Sequence, residues 1–419
     1  MRRTITLLVS GTLGDVRPLV ALGVGLHNAG YVVQMATHAP YAPLVQAHGL
    51  LWRCVEGNPS DLLRFDDAAL TLERGALRGA TATLRYIRRA QAVYARMIDS
   101  ATEACRESDA LIVSLASCWG QLIATALELP CIWAPLQPIT PTARFSSPLL
   151  PLNHRLARLS YSMVELTTWL PWRTVLRQWQ LRAPGPRQAP LDPFVLAQQS
   201  RAPFIYGFSP CVVPPPADWD PHHTVAGYWF LDDSNERLSS EIADFLTNGD
   251  PPVAIGFGSM GEQRPHDDAV LMITALTLAQ RRGILIGAPE AVRLVTGRRD
   301  ILVVPYVPHH LLFPHVAVAI HHGGAGATAA GLRAGVPTVT IPVGIDQFFW
   351  GRRVAALGAG PPPLPRRRAT PDLLAATIVA ATDDAIRVRA AALGCLIRAE
   401  QGVTRAVETI SDYLVLCQA

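Results

Sequence analysis

The same short pattern opens each half of the chain, and it restricts the fold more than any other feature of the sequence. An apolar, β-rich run, Thr4–Val9, is followed by a glycine turn and then by a helical pattern with Pro18 near its first turn. Val253–Phe257 is a second such run, and Gly258-Ser259-Met260-Gly261 and another helical stretch follow it. Strands and helices that alternate in this way form parallel sheets covered by helices. The sequence therefore predicts an α/β protein with two doubly wound, Rossmann-like domains.

Further strand-like runs continue the alternation in both halves. In the first half they are at residues 32–36, 110–114 and 131–135, and in the second at 284–287, 301–304, 317–320 and 338–341. A proline-rich stretch at 203–221 lies between the two sets and favours an extended connection. We therefore divide the chain into a first domain (1–210), a linker (211–235), a second domain (236–395) and a C-terminal helix (396–419). Ligands of such sheets bind at the carboxyl ends of the strands, so a cleft between the two domains is the expected site.

The composition excludes several classes of protein. Hydrophobic residues make up 49% of the chain and charged residues 17%, as in a globular protein with a large buried fraction. All 37 basic residues are arginine, so a P-loop lysine and a Schiff-base lysine are both excluded. The net charge of +4 and the dispersed arginines do not predict a nucleic-acid partner. The seven scattered cysteines favour reduced thiols in the cytoplasm.

Two helical insertions interrupt the alternation in the first half. Residues 70–97 carry several arginines, and residues 151–182 carry Trp169, Trp172 and Trp179. We interpret both insertions as walls of a binding pocket or covers of the sheet. Peripheral contact with a membrane surface is the alternative. No window approaches the roughly 18 apolar residues that a spanning helix needs.

The strongest local signal follows the apolar run that ends at Ile320. It reads His321-His322-Gly323-Gly324-Ala325-Gly326-Ala327-Thr328 and opens a helical pattern that runs to Ala334. Glycines let the backbone approach a ligand closely, and a helix N-terminus offers unpaired N–H groups to an anion. With an imidazole beside it, such a loop suits a diphosphate. A tight turn with core histidines is the alternative interpretation.

Residues around this loop extend the signal to a family resemblance. The stretch Tyr306–Arg353 resembles the donor-binding signature of the family 1 UDP-glycosyltransferases, which have the two-domain GT-B fold. The chain is most similar to the branch of sterol 3-β-glucosyltransferases and bacterial antibiotic and lipid glycosyltransferases. The residues that carry this second similarity are the doubled histidine, Gly11–Pro18, Gly227–Phe230 and Asp346–Arg353. The resemblance is weak at residues 58–111 and 141–200.

The resemblance implies a role for each matching residue. The first domain would bind the acceptor, the second would bind a nucleotide sugar, and the C-terminal helix would pack back toward the first domain. Asp15 would be the general base that deprotonates the acceptor; a helix cap is the alternative. The acceptor would lie against Trp119, Phe145 and Trp350. The donor would be held by Gly14, Ser259, Tyr306, Val307, His322, Gly324, Ala325, Gly326, Ala327, Thr328, Asp346 and Gln347.

Within this set, His322, Ser259 and the amides of residues 324–328 would hold the diphosphate. Tyr306 and Val307 would cover the nucleobase, and Asp346 and Gln347 would bind the sugar hydroxyls. Displacement at the anomeric carbon needs a base at the acceptor and charge stabilisation at the departing diphosphate, and these roles supply both.

The implied activity is an inverting transfer of a hexose, glucose in the first instance, from UDP to a hydroxyl of a small lipophilic acceptor. A sterol, terpenoid, polyketide or phenolic lipid would fit. We expect no cofactor and no metal. The D-x-D sequence Asp218-Trp219-Asp220 lies in the proline-rich stretch, and we interpret it as a turn with solvated carboxylates.

Alternatives remain open. Ala327, Ala330 and Trp350 depart from patterns common among the relatives, so a TDP-deoxysugar donor is an alternative to UDP-glucose. A non-catalytic protein that binds a sugar nucleotide, and an epimerase or cell-wall transferase with the same fold, are further ones.

Overall fold

The computed structural model describes residues 2–57, 76–232, 236–257, 265–344 and 346–417, and for residues 76–89 and His154 it describes only the backbone. Ser259, one of the predicted donor residues, lies outside the described residues.

Among the described residues, seven parallel strands form the sheet of the first domain, in the order β3-β2-β1-β4-β5-β6-β7. Central β1 pairs with β2 on one side and with β4 on the other. A strand flanked and covered in this way is buried on both faces, which explains its continuous apolar run. The strands are β1 (Thr4–Leu8), β2 (Val32–Thr37), β3 (Leu51–Cys54), β4 (Ala110–Val113), β5 (Cys131–Trp133), β6 (Phe204–Tyr206) and β7 (His223–Val225).

The described part of the second domain contains five parallel strands, in the order β10-β9-β8-β11-β12. In both sheets the strand order reverses beside the first strand, between β1 and β4 and between β8 and β11. Loops that leave the carboxyl ends of these strands diverge and open a crevice, where ligands of such sheets bind. The strands are β8 (Val253–Gly256), β9 (Gly283–Ile286), β10 (Ile301–Val304), β11 (Val318–His321) and β12 (Thr338–Thr340).

Helices cover both sheets. In the first domain they are α1 (Leu13–Asn28), α2 (Ala42–Ala47), α3 (Ala76–Cys105), α4 (Gly120–Ala126), α5 (Ala157–Trp169), α6 (Arg173–Gln180) and α7 (Pro193–Gln199). In the second they are α8 (Ser240–Thr247), α9 (Pro265–Leu278), α10 (Ala291–Leu294), α11 (His309–Leu312), α12 (Ala325–Ala334), α13 (Gln347–Ala356), α14 (Pro371–Ala381) and α15 (Asp384–Ala399). Helix α16 (Gly402–Leu416) ends the described chain. Of the helices described, none is long and apolar enough to cross a bilayer.

Helix α16 returns to the first domain and packs against α1. Its buried residues Ala406, Ile410 and Leu414 belong to the same apolar core as β1 and α1. The Tyr31 hydroxyl donates a hydrogen bond to Ser411 Oγ at 3.0 Å. The C-terminal helix predicted at residues 396–419 therefore begins only at Gly402, because Glu400 adopts an extended backbone after α15.

One short strand lies within the proline-rich stretch at 203–221, and a second follows just after it. Strand β6 lies at 204–206, and β7, at 223–225, falls inside the predicted linker and pairs with β6. Prolines exclude helix and central strands but are compatible with short strands near a sheet edge. The 223–225 segment therefore belongs to the first sheet and not to a linker.

Candidate active site

Asp15 lies in the first turn of α1, directly after the turn that leaves β1. Its Oδ2 accepts hydrogen bonds from the Thr12 amide at 2.8 Å and the Thr12 hydroxyl at 3.0 Å. Gly11 has a φ of +125°, and a side chain there would collide with the Asp15 carboxylate. The glycine thus lets the carboxylate fold back over the turn. Asp15 closes a capping box with Thr12, so the cap interpretation is correct as far as local structure goes.

The pKa of Asp15 is raised above its ordinary value. Burial of the carboxylate is the largest cause, the hydrogen bonds from Thr12 oppose it, and the negative charge of Asp346 raises the pKa further. Asp346 belongs to the second domain, so its charge acts on Asp15 across the space between the domains. A carboxylate with a raised pKa is a stronger base than an ordinary one, which suits proton abstraction.

The loop after β11 presents unpaired backbone donors. Gly323 has a φ of +91°, and the chain then enters α12 with Gly324 as its N-cap. No side chain of the described residues caps this helix. The first intrahelical bond is donated by the Thr328 amide to the Gly324 carbonyl at 3.0 Å. The amides of residues 325–327 therefore point out of the helix end, where an anion would accept from them.

Two histidines stand beside these amides, and the pKa of each is lowered, which favours the neutral form of both rings. Burial lowers the pKa of His322, and burial and the neighbouring histidines lower that of His321 well below its ordinary value. The Gly323 amide donates to His321 Nδ1 at 2.9 Å, so the proton of this ring is on Nε2. His321 Nε2 and His322 Nδ1 are both buried without a hydrogen-bond partner among the described residues. The His322 ring lies against Gly324, at the helix end.

Asp346 and Gln347 follow β12 and begin α13. Asp346 Oδ2 accepts from Trp350 Nε1 at 2.8 Å and from Gln137 Nε2 of the first domain at 3.3 Å. Burial raises the pKa of Asp346, while these two bonds oppose the rise. Gln347 Oε1 accepts from the Val343 and Gly344 amides, at 2.8 and 3.2 Å. Its amide group is thereby oriented, and no hydrogen bond from its N–H donors is found among the described residues.

Arg17 joins the domains one helical turn beyond Thr12. It donates to the Tyr306 hydroxyl at 3.2 Å and to the Leu231 carbonyl at 3.2 Å. It also lies 3.8 Å from the Glu236 carboxylate. The helix that carries Asp15 is therefore tied directly to the loop that follows β10.

Comparison with known proteins agrees with this geometry. Residues 271–401 match the family model of the erythromycin biosynthesis protein CIII-like C-terminal domain. The chain is 34% identical to O-mycaminosyltylonolide 6-deoxyallosyltransferase of Streptomyces fradiae, over 98% of this chain and 97% of that protein. It belongs to this family of glycosyltransferases.

Two further proteins place the chain within the family. It is 34% identical to a sterol 3-β-glucosyltransferase of Emericella nidulans over 97% of its own length, but it spans only 30% of that fungal protein. The crystal structure of the glycotransferase of kitacinnamycin superposes with a TM-score of 0.70 at 19% identity, covering 99% of this chain and 100% of that one. The two-domain GT-B fold expected from the sequence is thus confirmed.

The structure brings most of the predicted donor residues of this glycosyltransferase together. Gly14 is exposed beside Asp15, and Gly324, Ala325, Gly326 and Ala327 form the open helix end near His322. Tyr306 is 56% exposed, so its ring is available to a nucleobase. The Val307 side chain, in contrast, is buried in the core with Leu312 and Phe313. Only its backbone can reach a ligand.

Three predicted contacts need correction. Trp350, expected at the acceptor, is fully buried and its indole N–H donates to Asp346, so it orients that carboxylate and offers no surface to a ligand. Trp119 is also fully buried and stacks on Trp172 at 5.3 Å. Thr328 is fully buried, and its amide is already used inside α12. Of the predicted acceptor residues, Phe145 remains partly exposed and packs against Phe349 at 5.6 Å.

The D-x-D sequence is engaged within the protein. Asp218 accepts from the Thr142 hydroxyl at 2.7 Å and the Ala143 amide at 2.9 Å. Asp220 accepts from the ring of His223 at 2.7 Å. Both aspartates thus hold loops of the first domain together. The described residues contain no group of three or more histidine, cysteine or acidic side chains that could hold a metal.

Sequence reasoning missed Gln137 and Arg17. Gln137 follows the apolar run of β5, and a polar residue just after a buried strand is a usable signal for a site at the carboxyl edge. Arg17 gave no such signal, because helix periodicity places it on an exposed side of α1 and its partners lie more than 200 residues away in the chain.

Proposed function

We propose that this glycosyltransferase moves a hexose from a nucleoside diphosphate to a hydroxyl of a small lipophilic acceptor, with inversion at the anomeric carbon. Asp15 takes the hydroxyl proton while the acceptor oxygen attacks the anomeric carbon. The bond from that carbon to the diphosphate breaks on the opposite face, and its electron pair leaves with the diphosphate. A single displacement of this kind inverts the anomeric centre.

One observation carries the proposal: Gln137 of the first domain donates to Asp346 of the second at 3.3 Å, so the carboxyl edges of the two sheets meet at Asp346, whose charge also raises the pKa of Asp15. The base therefore stands opposite the loops of the second domain that would bind the sugar and the diphosphate. In such a cleft an anomeric carbon held beside Asp346 would be within reach of an acceptor deprotonated at Asp15.

The departing diphosphate would be stabilised by the end of α12. The amides of residues 325–327 are preorganised, and the His322 ring lies against Gly324 at the same helix end. Donors fixed before the reaction stabilise developing charge without reorganisation, and each contributes about 2.7–4 kcal/mol in well-studied cases. We infer that these groups perform the role that a metal ion has in other transferases.

For the donor we propose UDP-glucose, since Asp346 and the Gln347 amide offer an acceptor and donors to ring hydroxyls. A deoxysugar is the second candidate, favoured by the deoxyallosyltransferase of Streptomyces fradiae, which this chain matches over nearly its whole length. A site that binds a hydroxyl discriminates against a sugar that lacks it, because its own polar groups stay unpaired. Competition between UDP-glucose and TDP-6-deoxyglucose, read by mass spectrometry, separates the two candidates.

The test of the mechanism is Asp15→Asn. The amide oxygen of asparagine can still accept from Thr12, so the turn and the cap are kept, while the base is lost. We expect transfer to an aliphatic alcohol to fall by about 10²–10⁴. Nucleotide-sugar affinity, measured by calorimetry, should hardly change. Turnover equal to the wild type would reduce Asp15 to a helix cap.

A non-catalytic protein that only binds a sugar nucleotide would not hydrolyse the donor. Slow donor hydrolysis in the absence of an acceptor requires a working site, so its absence in the wild type would favour this alternative.

A further inference from the structure

Five large apolar side chains lie exposed along one side of α5 and the turns at its ends. They are spaced by three and four residues, so they form one row on the helix surface. Each is between 44% and 51% exposed, although exposed leucines elsewhere on such a protein usually occur singly. We name this row the α5 stripe; it consists of Leu156, Leu159, Met163, Leu166 and Leu170.

The helix already has a buried side, so the stripe is not needed for folding. Ala157, Ser160, Tyr161 and Val164 pack into the first domain. The stripe lies on a different side of the helix from these residues. A second apolar surface on a helix that is already anchored indicates a contact outside the chain.

The charges around the stripe have one sign. Residues 145–191 contain six arginines and one acidic residue, Glu165. Arg155 and Arg173 stand at the two ends of the stripe, are exposed, and have no side-chain partner among the described residues. Other arginines of the segment are engaged, such as Arg158 with Asp218 at 3.4 Å and Arg182 with Asp99 at 3.3 Å.

Glu165 does not offset this charge on the outer surface. Its side chain is half-buried on a side of α5 away from the stripe. Burial, with the nearby charge of Asp192, raises its pKa to about 7. Near neutral pH the segment thus presents apolar and cationic groups to solvent, with little negative charge among them.

We propose that the α5 stripe lies on an anionic lipid surface, with its apolar side chains among the acyl chains and Arg155 and Arg173 at the headgroups. A helix with an apolar row and free arginines at its ends has the chemistry of an interfacial helix. A protein partner would need acidic groups facing both arginines, whereas a lipid surface offers phosphates at any position along the helix.

The α5 stripe lies where contact with a bilayer would bring a lipophilic acceptor close to the active site. This part of the inference rests on the proposed function. The Ser147 amide donates to Ser160 Oγ at 2.7 Å, so α5 is bonded to the loop that carries Phe145. That loop contacts Phe349 of the second domain. A protein docked through α5 would take a lipophilic acceptor from the bilayer beside the cleft, without release of the acceptor to water.

The experiment is sedimentation of the full chain with vesicles, without donor or acceptor, so its result does not depend on transfer activity. Vesicles of phosphatidylcholine with 30% phosphatidylglycerol are compared with pure phosphatidylcholine. We expect binding to the anionic vesicles that weakens as salt screens the headgroups. Arg155→Gln with Arg173→Gln should reduce partitioning about five-fold for each arginine.

Leu159→Gln with Leu166→Gln should reduce partitioning at least about ten-fold, since both side chains lose apolar burial. The matched control is Val388→Gln with Leu396→Gln, which alters two side chains of α15 that are 69% and 57% exposed. Thermal unfolding checks that each variant is folded. The control should bind as the wild type does.

Three results would overturn the proposal. The wild type could fail to bind anionic vesicles, or the α15 control could lose as much binding as the stripe variant. Alternatively, light scattering could show a dimer that only the Leu159→Gln and Leu166→Gln changes dissociate, which would assign the stripe to a second copy of the chain. Transfer to a water-soluble acceptor should stay unchanged in the stripe variants, which separates this proposal from the catalytic one.

Discussion

Replacing Trp350 by phenylalanine distinguishes the role that the sequence implied for this residue from the role that the structure gives it. The indole is fully buried and donates to Asp346 Oδ2 at 2.8 Å. Phenylalanine keeps most of the apolar volume but removes the N–H. Of the two side-chain bonds that Asp346 accepts from described residues, the longer one, from Gln137, then remains.

The expected loss in donor kcat/KM for Trp350→Phe follows from the kind of hydrogen bond that is removed. A hydrogen bond to a charged group contributes about 1.5–3 kcal/mol, which corresponds to roughly 10- to 150-fold in an equilibrium or rate constant. If Asp346 binds the sugar, this loss should appear in kcat/KM for the donor. The Trp350 bond also holds the pKa of Asp346 down, so its removal should raise that pKa further.

The assay measures kcat and KM for the donor at saturating acceptor, and then for the acceptor at saturating donor. We expect the donor parameters of Trp350→Phe to worsen by about 10-fold or more, with the acceptor KM unchanged. Phe145→Leu is the matched comparison, because Phe145 is the predicted acceptor residue whose side chain is partly exposed, and there the acceptor KM should rise. A raised acceptor KM with unchanged donor parameters in Trp350→Phe would refute the reasoning and restore the acceptor role.

Two further substitutions test the remaining contacts of the site. His322→Ala removes the imidazole that lies against the N-terminal end of α12. We expect the activation free energy for donor kcat/KM to rise by about 2–4 kcal/mol and UDP binding, measured by calorimetry, to weaken. An unchanged UDP affinity would contradict the phosphate assignment. Arg17→Met removes the bonds to Tyr306 and Leu231, so donor KM should rise by about 2- to 10-fold for each bond lost. Its effect should be less than additive with Tyr306→Phe in a double-mutant cycle, and full additivity would mean that the two side chains act separately.

The strands that the sequence predicted correctly are those with continuous apolar runs, such as β1 and β11, because burial on both faces leaves that pattern in the sequence. Strand β3 was missed since it lies at the sheet edge, with Leu51 52% exposed, and an edge strand has no need of an apolar run. Strands β6 and β7 were missed because each has only three residues and prolines surround them.

The active-site residues also divide into those that the sequence predicts and those that only the folded structure shows. Glycines after an apolar strand locate the helix end of α12, because the turn places Gly323 at a φ of +91°, which glycine adopts readily. The burial of Trp350 was not predictable from local sequence. Its helix, α13, has apolar residues at neighbouring positions, and only the packing against Phe208 and β12 decides which of them face the core. Gln137 meets Asp346 across 209 positions of the chain, a contact that follows from domain closure and not from any motif.

The influence of Asp346 on Asp15 leads to a prediction for the pH dependence of transfer. Burial raises the pKa of Asp15, the Thr12 bonds lower it, and the charge of Asp346 raises it again. The base acts in its deprotonated form, so kcat/KM should rise with pH through the pKa of Asp15 in the free enzyme.

Asp346→Asn removes the negative charge, and its amide oxygen can still accept from Trp350. The pKa of Asp15 should therefore fall, and the acidic limb of the kcat/KM profile should move to lower pH, whatever loss in absolute rate the lost sugar contact causes. Glu236→Gln is the control, because this carboxylate lies near Arg17 on the same helix as Asp15 but is not among the causes that shift Asp15. Its acidic limb should stay in place. A limb that moves to higher pH in Asp346→Asn, or does not move, would mean that the two aspartates do not share one cleft, and the displacement mechanism built on their proximity would fail with it.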